Sequence, residues 1–291
     1  MNYILENEFL KVEFSDKGGE MQSIVGKKSG VEYLWQGNPE FWTGRAYNLF
    51  PICGRLTGGK YIYKGKEYEM NLHGFVRDSV MDAKKKSGKE LVFILRSDDE
   101  LKKNYPFDFV YTLRYLLDGN RIKTVYEISN EGEGPMYFAV GGHPGFNVPL
   151  GGEGSFEDYY LEFDCEKQMK LLVMTPLFFT GKTENYPLEN GKILRLRHSL
   201  FEKDALFFTD MCKCVTLKSD KSEKYVRLEY PDMRNLGIWH KPNTKAPYVC
   251  IEPWSSVPSY DGKTDDLETK NQMEKLSPGE NFVSGFDIEI G

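Results

Sequence analysis

Three stretches of the chain carry side chains suited to moving protons or holding a polar ligand. In "YFAVGGHPGFNVPL" (137–150), His143 stands between a Gly-Gly pair and a Pro-Gly pair. Glycine removes bulk, and the following proline pushes His143 toward extended backbone, so the imidazole is expected to have little side-chain cover. Histidine changes charge near neutral pH and serves as acid or base. In "APYVCIEPWSSVPSYDG" (246–262), Glu252 interrupts the apolar run Tyr248-Val249-Cys250-Ile251 and, like His143, precedes a proline. A carboxylate in such a run must be paired, hydrogen-bonded or functional, because burying it alone is costly. Its functional reading is a general base whose pKa is raised by apolar neighbours, and its structural reading an ion pair or a backbone hydrogen bond. In "AYNLFPICGRLTGGKY" (46–61), Arg55 follows Gly54 among apolar and small residues. Its fixed donors suit sugar hydroxyls or a developing oxyanion, with Asn48 as a polar companion; a carboxylate partner in the core is the structural alternative.

The remaining histidines divide by context. His73, in "NLHGF", has the space of Gly74 beside it and is a second candidate. His198, in "RLRHSL", reads as a surface loop residue, and His240, after Trp239 in "LGIWHKPN", as a partly exposed strand end.

These residues need a scaffold, and the dominant period in the chain is two. Leu10, Val12 and Phe14 alternate with Lys11 and Glu13; Phe109, Tyr111, Leu113 and Tyr115 share one face; the pattern continues from Ile122 to Ile128. Such alternation indicates half-buried antiparallel strands. Asp118-Gly119 and Lys64-Gly65 mark hairpin turns. Aromatics form 14% of the chain, with 18 Tyr and 19 Phe, and suit a pleated packed surface. Helix signal is sparse: in "SDDELKKNYP", Ser97 and Glu100 have capping-box spacing and Pro106 closes a short segment. The pattern predicts an all-β protein, a large antiparallel β-sandwich, as one domain over 1–291. A nucleotide-binding α/β fold is excluded by the lack of any G-x-G-x-x-G or P-loop opening a helix.

Composition narrows the function. A formal charge of −6 argues against nucleic acid, whose backbone needs clustered Lys and Arg. Glu6 and Glu8 fall where a secretion signal would be apolar, and no window approaches the roughly 20 apolar residues of a membrane span. A cytoplasmic protein without membrane partners is expected, as a monomer or homodimer. The five scattered cysteines (Cys53, Cys165, Cys212, Cys214, Cys250) read as reduced thiols rather than a disulfide framework. Cys212-x-Cys214 has no second ligand pair, so no metal is expected.

Taken in order, "CGRLTGGKYIYKGKEYEMNLHGF", "GGHPGFN" and "IWHKPNTKAPYVCIEPW" resemble the motifs of the aldose 1-epimerase (galactose mutarotase) family, and are most similar to a divergent branch of epimerase-like bacterial proteins. The resemblance implies the galactose mutarotase-like supersandwich and interconversion of α and β anomers of a free aldose, with no cofactor and a small sugar as the partner. It assigns His143 as general acid, with Phe146-Asn147 behind it, and Glu252 as general base, one on each side of the C1–O5 unit, across a gap one pyranose wide. It places Arg55, before Gly59-Lys60-Tyr61, and His73 on the sugar, and makes Asp204 in "LFEKDALFF" the hydroxyl-binding aspartate, with Asp210 as competitor. Trp239, Phe146 and Trp254 offer apolar faces for a sugar ring. The sequence departs from the family in "CGR" and "GGHPG", which lack a second Arg, an Asn and an N-H-[ST] triplet, so the sugar is left open. A hexose-6-phosphate 1-epimerase, with Arg45 and Arg77 near the site, and a non-catalytic carbohydrate-binding or sugar-sensing module are the alternatives.

Overall fold

The computed structural model describes residues 1–165 and 168–291. The period-two segments are strands. Phe109–Asp118 and Arg121–Asn130 form a ten-by-ten antiparallel hairpin whose alternate residues are buried, and they sit inside a nine-stranded sheet. The Asp118–Arg121 pair closes that hairpin over Gly119-Asn120, and Lys60–Tyr63 turns into Lys66–Glu69 through Lys64-Gly65, both at positive φ.

A seven-stranded sheet carries the site. In chain order its strands are β1 (Ala46–Leu49), β2 (Gly141–Asn147), β3 (Lys170–Met174), β4 (Phe179–Asn185), β5 (Leu206–Thr209), β6 (Asn235–Trp239) and β7 (Tyr248–Trp254). In space they lie β4-β3-β5-β6-β7-β2-β1, every neighbour antiparallel. One face packs on the nine-stranded sheet. Tyr126 reaches across to bond Asn48 Oδ1 (2.9 Å) and Gly141 O (3.0 Å), and Phe163 meets Phe208 at 6.4 Å between ring centroids. The core between the sheets is apolar and aromatic, and the expected all-β antiparallel sandwich is present. Among the described residues, no helix is long and apolar enough to cross a membrane.

Two local expectations are corrected. The short helix, Asp99–Asn104, is capped by Asp98, whose carboxylate accepts from Leu101 N–H at 2.8 Å; Ser97 instead accepts from Phe109 N–H. The thiols are not all reduced. Cys165 and Cys212 form a disulfide, because the fold brings their Cα atoms to 5.7 Å across 47 residues of sequence; Cys53, Cys214 and Cys250 are free and buried.

Candidate active site

The outer face of the seven-stranded sheet floors a cleft of about 410 Å³. Alternation within the strands decides which side chains enter it. In β2 and β7, Gly141 pairs with Trp254 and Gly145 with Cys250, which sets His143 directly opposite Glu252. Cross-strand partners share a face, and His143 Nε2 lies 3.3 Å from Glu252 Oε2. On the other flank His143 pairs with Tyr47 of β1, and Glu252 pairs with Gly237 of β6. A Cβ at Gly237 would stand 3.2 Å from Glu252 Oε2 and 3.1 Å from Phe207, and one at Gly145 3.1 Å from Trp42. The bare backbone at these two positions is what lets the carboxylate and the indole take their places.

Both groups are buried, Glu252 to 2% and His143 to 7% exposure. The expectation of an uncovered imidazole fails, since Trp42 stacks on it at 4.9 Å and Trp239 meets it edge-on at 5.7 Å. Glycine and proline next to His143 cleared only its own strand; the cover comes from a loop and a strand remote in sequence. The expected pyranose-wide gap between acid and base is also absent, because the strand register puts them in contact. Burial pushes His143 down to about 3, with Arg77 lowering it further. Burial, reinforced by the Asp204 carboxylate, pushes Glu252 well above the usual range. Burial thus favours the uncharged form of each, which leaves one proton for the pair. His143 Nδ1 and Glu252 Oε1 have no partner within the protein.

His73 lines the cleft with its ring edge-on to His143 at 5.3 Å. Burial first, then His143, Arg77 and Arg55, hold it well below its ordinary pKa, so it is neutral. Gly54 N–H donates to its Nδ1 (3.1 Å), which leaves the ring proton on Nε2. Arg55 is exposed on the rim. Asp204, at φ 86°, accepts from Trp239 Nε1–H at 2.7 Å, and burial raises its carboxyl against the pull of that bond and of Arg55. Asp210 does not reach the cleft.

Of the expected site residues, the structure brings His143, Glu252, Arg55, His73, Asp204, Trp239 and Trp254 into one cleft. Asn48 is a correction. Tyr47 faces the cleft, so Asn48 turns to the opposite face, where its amide donates to Gly18 O and Tyr115 and its carbonyl accepts from Tyr126. Phe146 is buried in the core for the same reason of parity. Arg45 hydrogen-bonds Gln22 O and Gln36, whereas Arg77 reaches the cleft and lies 4.6 Å over the Tyr47 ring. His240 is buried, not part-exposed, and holds His198 at 3.0 Å. Trp42, Tyr47, Phe207 and the Met174–Leu177 segment of the wall went unrecognised in the sequence; an aromatic beside Thr43-Gly44 was the signal available for Trp42.

The sequence model of the aldose 1-epimerase family matches residues 1–265. The chain belongs to the aldose 1-epimerase family. Its relatives include the plasmid-encoded protein LacX of Lactococcus lactis subsp. lactis, 36% identical over 301 residues with 100% of this chain and 99% of the relative covered. Among solved structures, a galactose mutarotase related enzyme from Lactobacillus acidophilus is 33% identical with a TM-score of 0.96, over 100% of this chain and 97% of that one. A galactose mutarotase-like protein from Lactobacillus casei ATCC 334 is 31% identical with a TM-score of 0.95, each chain covered fully. Membership of this epimerase family supports an isomerase acting on carbohydrates.

Among the described residues, donors for a metal come together in two places. With Cys250, two residues before Glu252, the acid–base pair forms a set of three donors within 4.8 Å of one another. The other set, Asp164, Cys165 and Cys212, has both sulfurs tied in the disulfide.

Proposed function

We propose that this epimerase-family protein interconverts the α and β anomers of an aldose on the His143–Glu252 pair. The single observation that carries this reading is a buried imidazole and carboxyl, 3.3 Å apart, facing the floor of a cleft large enough for a sugar. The anomeric oxygen O1 and the ring oxygen O5 are bonded to the same carbon, so they need an acid and a base that are neighbours. As the ring opens, the Glu252 carboxylate takes the O1 proton while the His143 imidazolium gives its proton to O5. The C1–O5 bond breaks, leaving an aldehyde at C1 and a hydroxyl at C5. After rotation about C1–C2, His143 takes the O5 proton back as O5 attacks the other face of C1, and Glu252 returns its proton to O1. The pair holds one proton throughout. Burial favours the neutral arrangement, which is the one that accompanies the open-chain sugar; the polar groups of a bound ring favour the charged one. His73 donates from Nε2, and Asp204 accepts from ring hydroxyls. No partner beyond the sugar is invoked.

A second reading has its own observation. Arg55, Arg77 and Lys203 line the cleft, and neither Arg55 nor Lys203 has a carboxylate partner within 4.0 Å among the described residues. Unpaired cations suit a phosphate, which favours a phosphorylated hexose as substrate. Magnetisation-transfer NMR on equilibrium α/β mixtures of glucose, galactose and their 6-phosphates tests both. Exchange accelerated for the free sugars supports the first reading, a preference for the phosphates the second, and sugar binding without exchange would leave a carbohydrate-binding protein.

A further inference from the structure

Cys250 has no part in the proton transfers described, yet its thiol adjoins the pair. It sits on the same face of β7 as Glu252, opposite Gly145, and is fully buried among Trp35, Tyr248 and Ala246. We propose that the cleft floor captures a soft divalent cation, Zn²⁺ as the type case, on His143, Cys250 and Glu252, and that the bound ion blocks the site. The inhibitory half rests on the epimerase reading above; the binding half stands on geometry.

Three donors around one zinc ion lie about 2.0–2.3 Å from it, which spaces them within about 4 Å of each other. Here a His143 ring nitrogen, the Cys250 sulfur and a Glu252 oxygen are already within 4.8 Å, so small side-chain rotations close the set. Imidazole, thiolate and carboxylate are zinc-type donors. His143 and Glu252 line the cleft while Cys250 lies behind them, so a further ligand to the ion would approach from the cleft side, as in zinc sites with three protein ligands. Mg²⁺ and Ca²⁺ need six or more oxygens and find one carboxylate, so they are rejected. The charge also balances: two positive charges meet one thiolate and one carboxylate, a neutral unit in a desolvated place. A free valence is available, because Glu252 Oε1 is buried without a partner. Binding displaces the thiol proton and the proton shared by His143 and Glu252; nothing is oxidised.

Co²⁺ and Zn²⁺ are the probes, on the wild-type chain and on Cys250→Ala and Cys250→Ser. The wild type should show a near-ultraviolet thiolate-to-cobalt charge-transfer band that both variants lack. Zn²⁺ should inhibit wild-type anomer exchange, with recovery on chelation. In the variants, metal-free exchange should stay within about twofold, and half-inhibition should need at least about tenfold more Zn²⁺, the scale of losing a ligand-sphere group. Absence of the band, or equal Zn²⁺ sensitivity in the variants, overturns the proposal. A cobalt band in a protein that exchanges no sugar would uphold the metal site and sink the epimerase reading instead.

Discussion

Glu252→Gln isolates the chemistry from the packing. Glutamine matches glutamate in size, so the close contacts with Gly237 and Phe207 persist and an amide atom still faces His143 Nε2 where the carboxylate stood at 3.3 Å. What is lost is the capacity to take a proton. A well-placed general base contributes about 10²–10⁴-fold, equivalent to about 3–5 kcal/mol of barrier, and anomer exchange should fall by that factor. Exchange is read by magnetisation transfer between anomeric protons, after subtraction of the buffer-catalysed rate. The fold gives an independent check. Burial and Asp204 raise the folded pKa of Glu252 above its ordinary 4.5. Above pH 4.5 the unfolded chain therefore loses a proton that the folded chain retains, and the stability tied to this neutral acid drains away as pH rises. Glutamine carries no such proton, so its melting temperature should gain on the wild type from pH 4.5 upward. A variant that exchanges within about threefold of wild type removes Glu252 from the mechanism. A melting difference that stays flat with pH refutes its raised pKa.

With His143 lowered to about 3 and Glu252 raised, the pair keeps its single proton through mildly acidic pH. Exchange should hold level below 6.5, where a free imidazole titrates, and fall on the alkaline side; an acid limb near 6.5 in the pH–rate profile contradicts this. Asn48→Ala strips partners from Gly18 O, Tyr115 and Tyr126 in the core and should cost about 2–4 kcal/mol in denaturant melts with exchange per folded molecule unchanged. Normal stability with weakened sugar binding would return Asn48 to the site. Reducing Cys165–Cys212 opens a loop of 47 residues, and chain entropy puts the loss at about 4 kcal/mol; identical melts with and without reductant argue against the pairing.

The sandwich was legible because alternation is a local property: Phe109 to Asp118 and Arg121 to Asn130 announce their buried faces without reference to anything distant. The chemical residues were legible for the opposite reason, that they break the local pattern, as Glu252 does in an apolar strand. What the sequence could not carry was parity. Tyr47 and Asn48 are adjacent, both plausible on a sugar, and the choice between them is made by β2, nearly a hundred residues away, whose His143 pairs with Tyr47. The same holds for Phe146, for the indole over His143 and for the disulfide, each fixed by which distant segments the topology brings together.

The acid and base are held by the spacing of two adjacent strands, each hydrogen-bonded on both sides within the sheet, whereas Arg55, Lys203, Asp204 and the Thr175–Leu177 part of the wall project from connections between strands. Reactivity and selectivity are therefore written in different materials. The loops are free to be rebuilt for another sugar, or for a charged one, while the distance that governs proton transfer stays locked to the pitch of the backbone lattice beneath them.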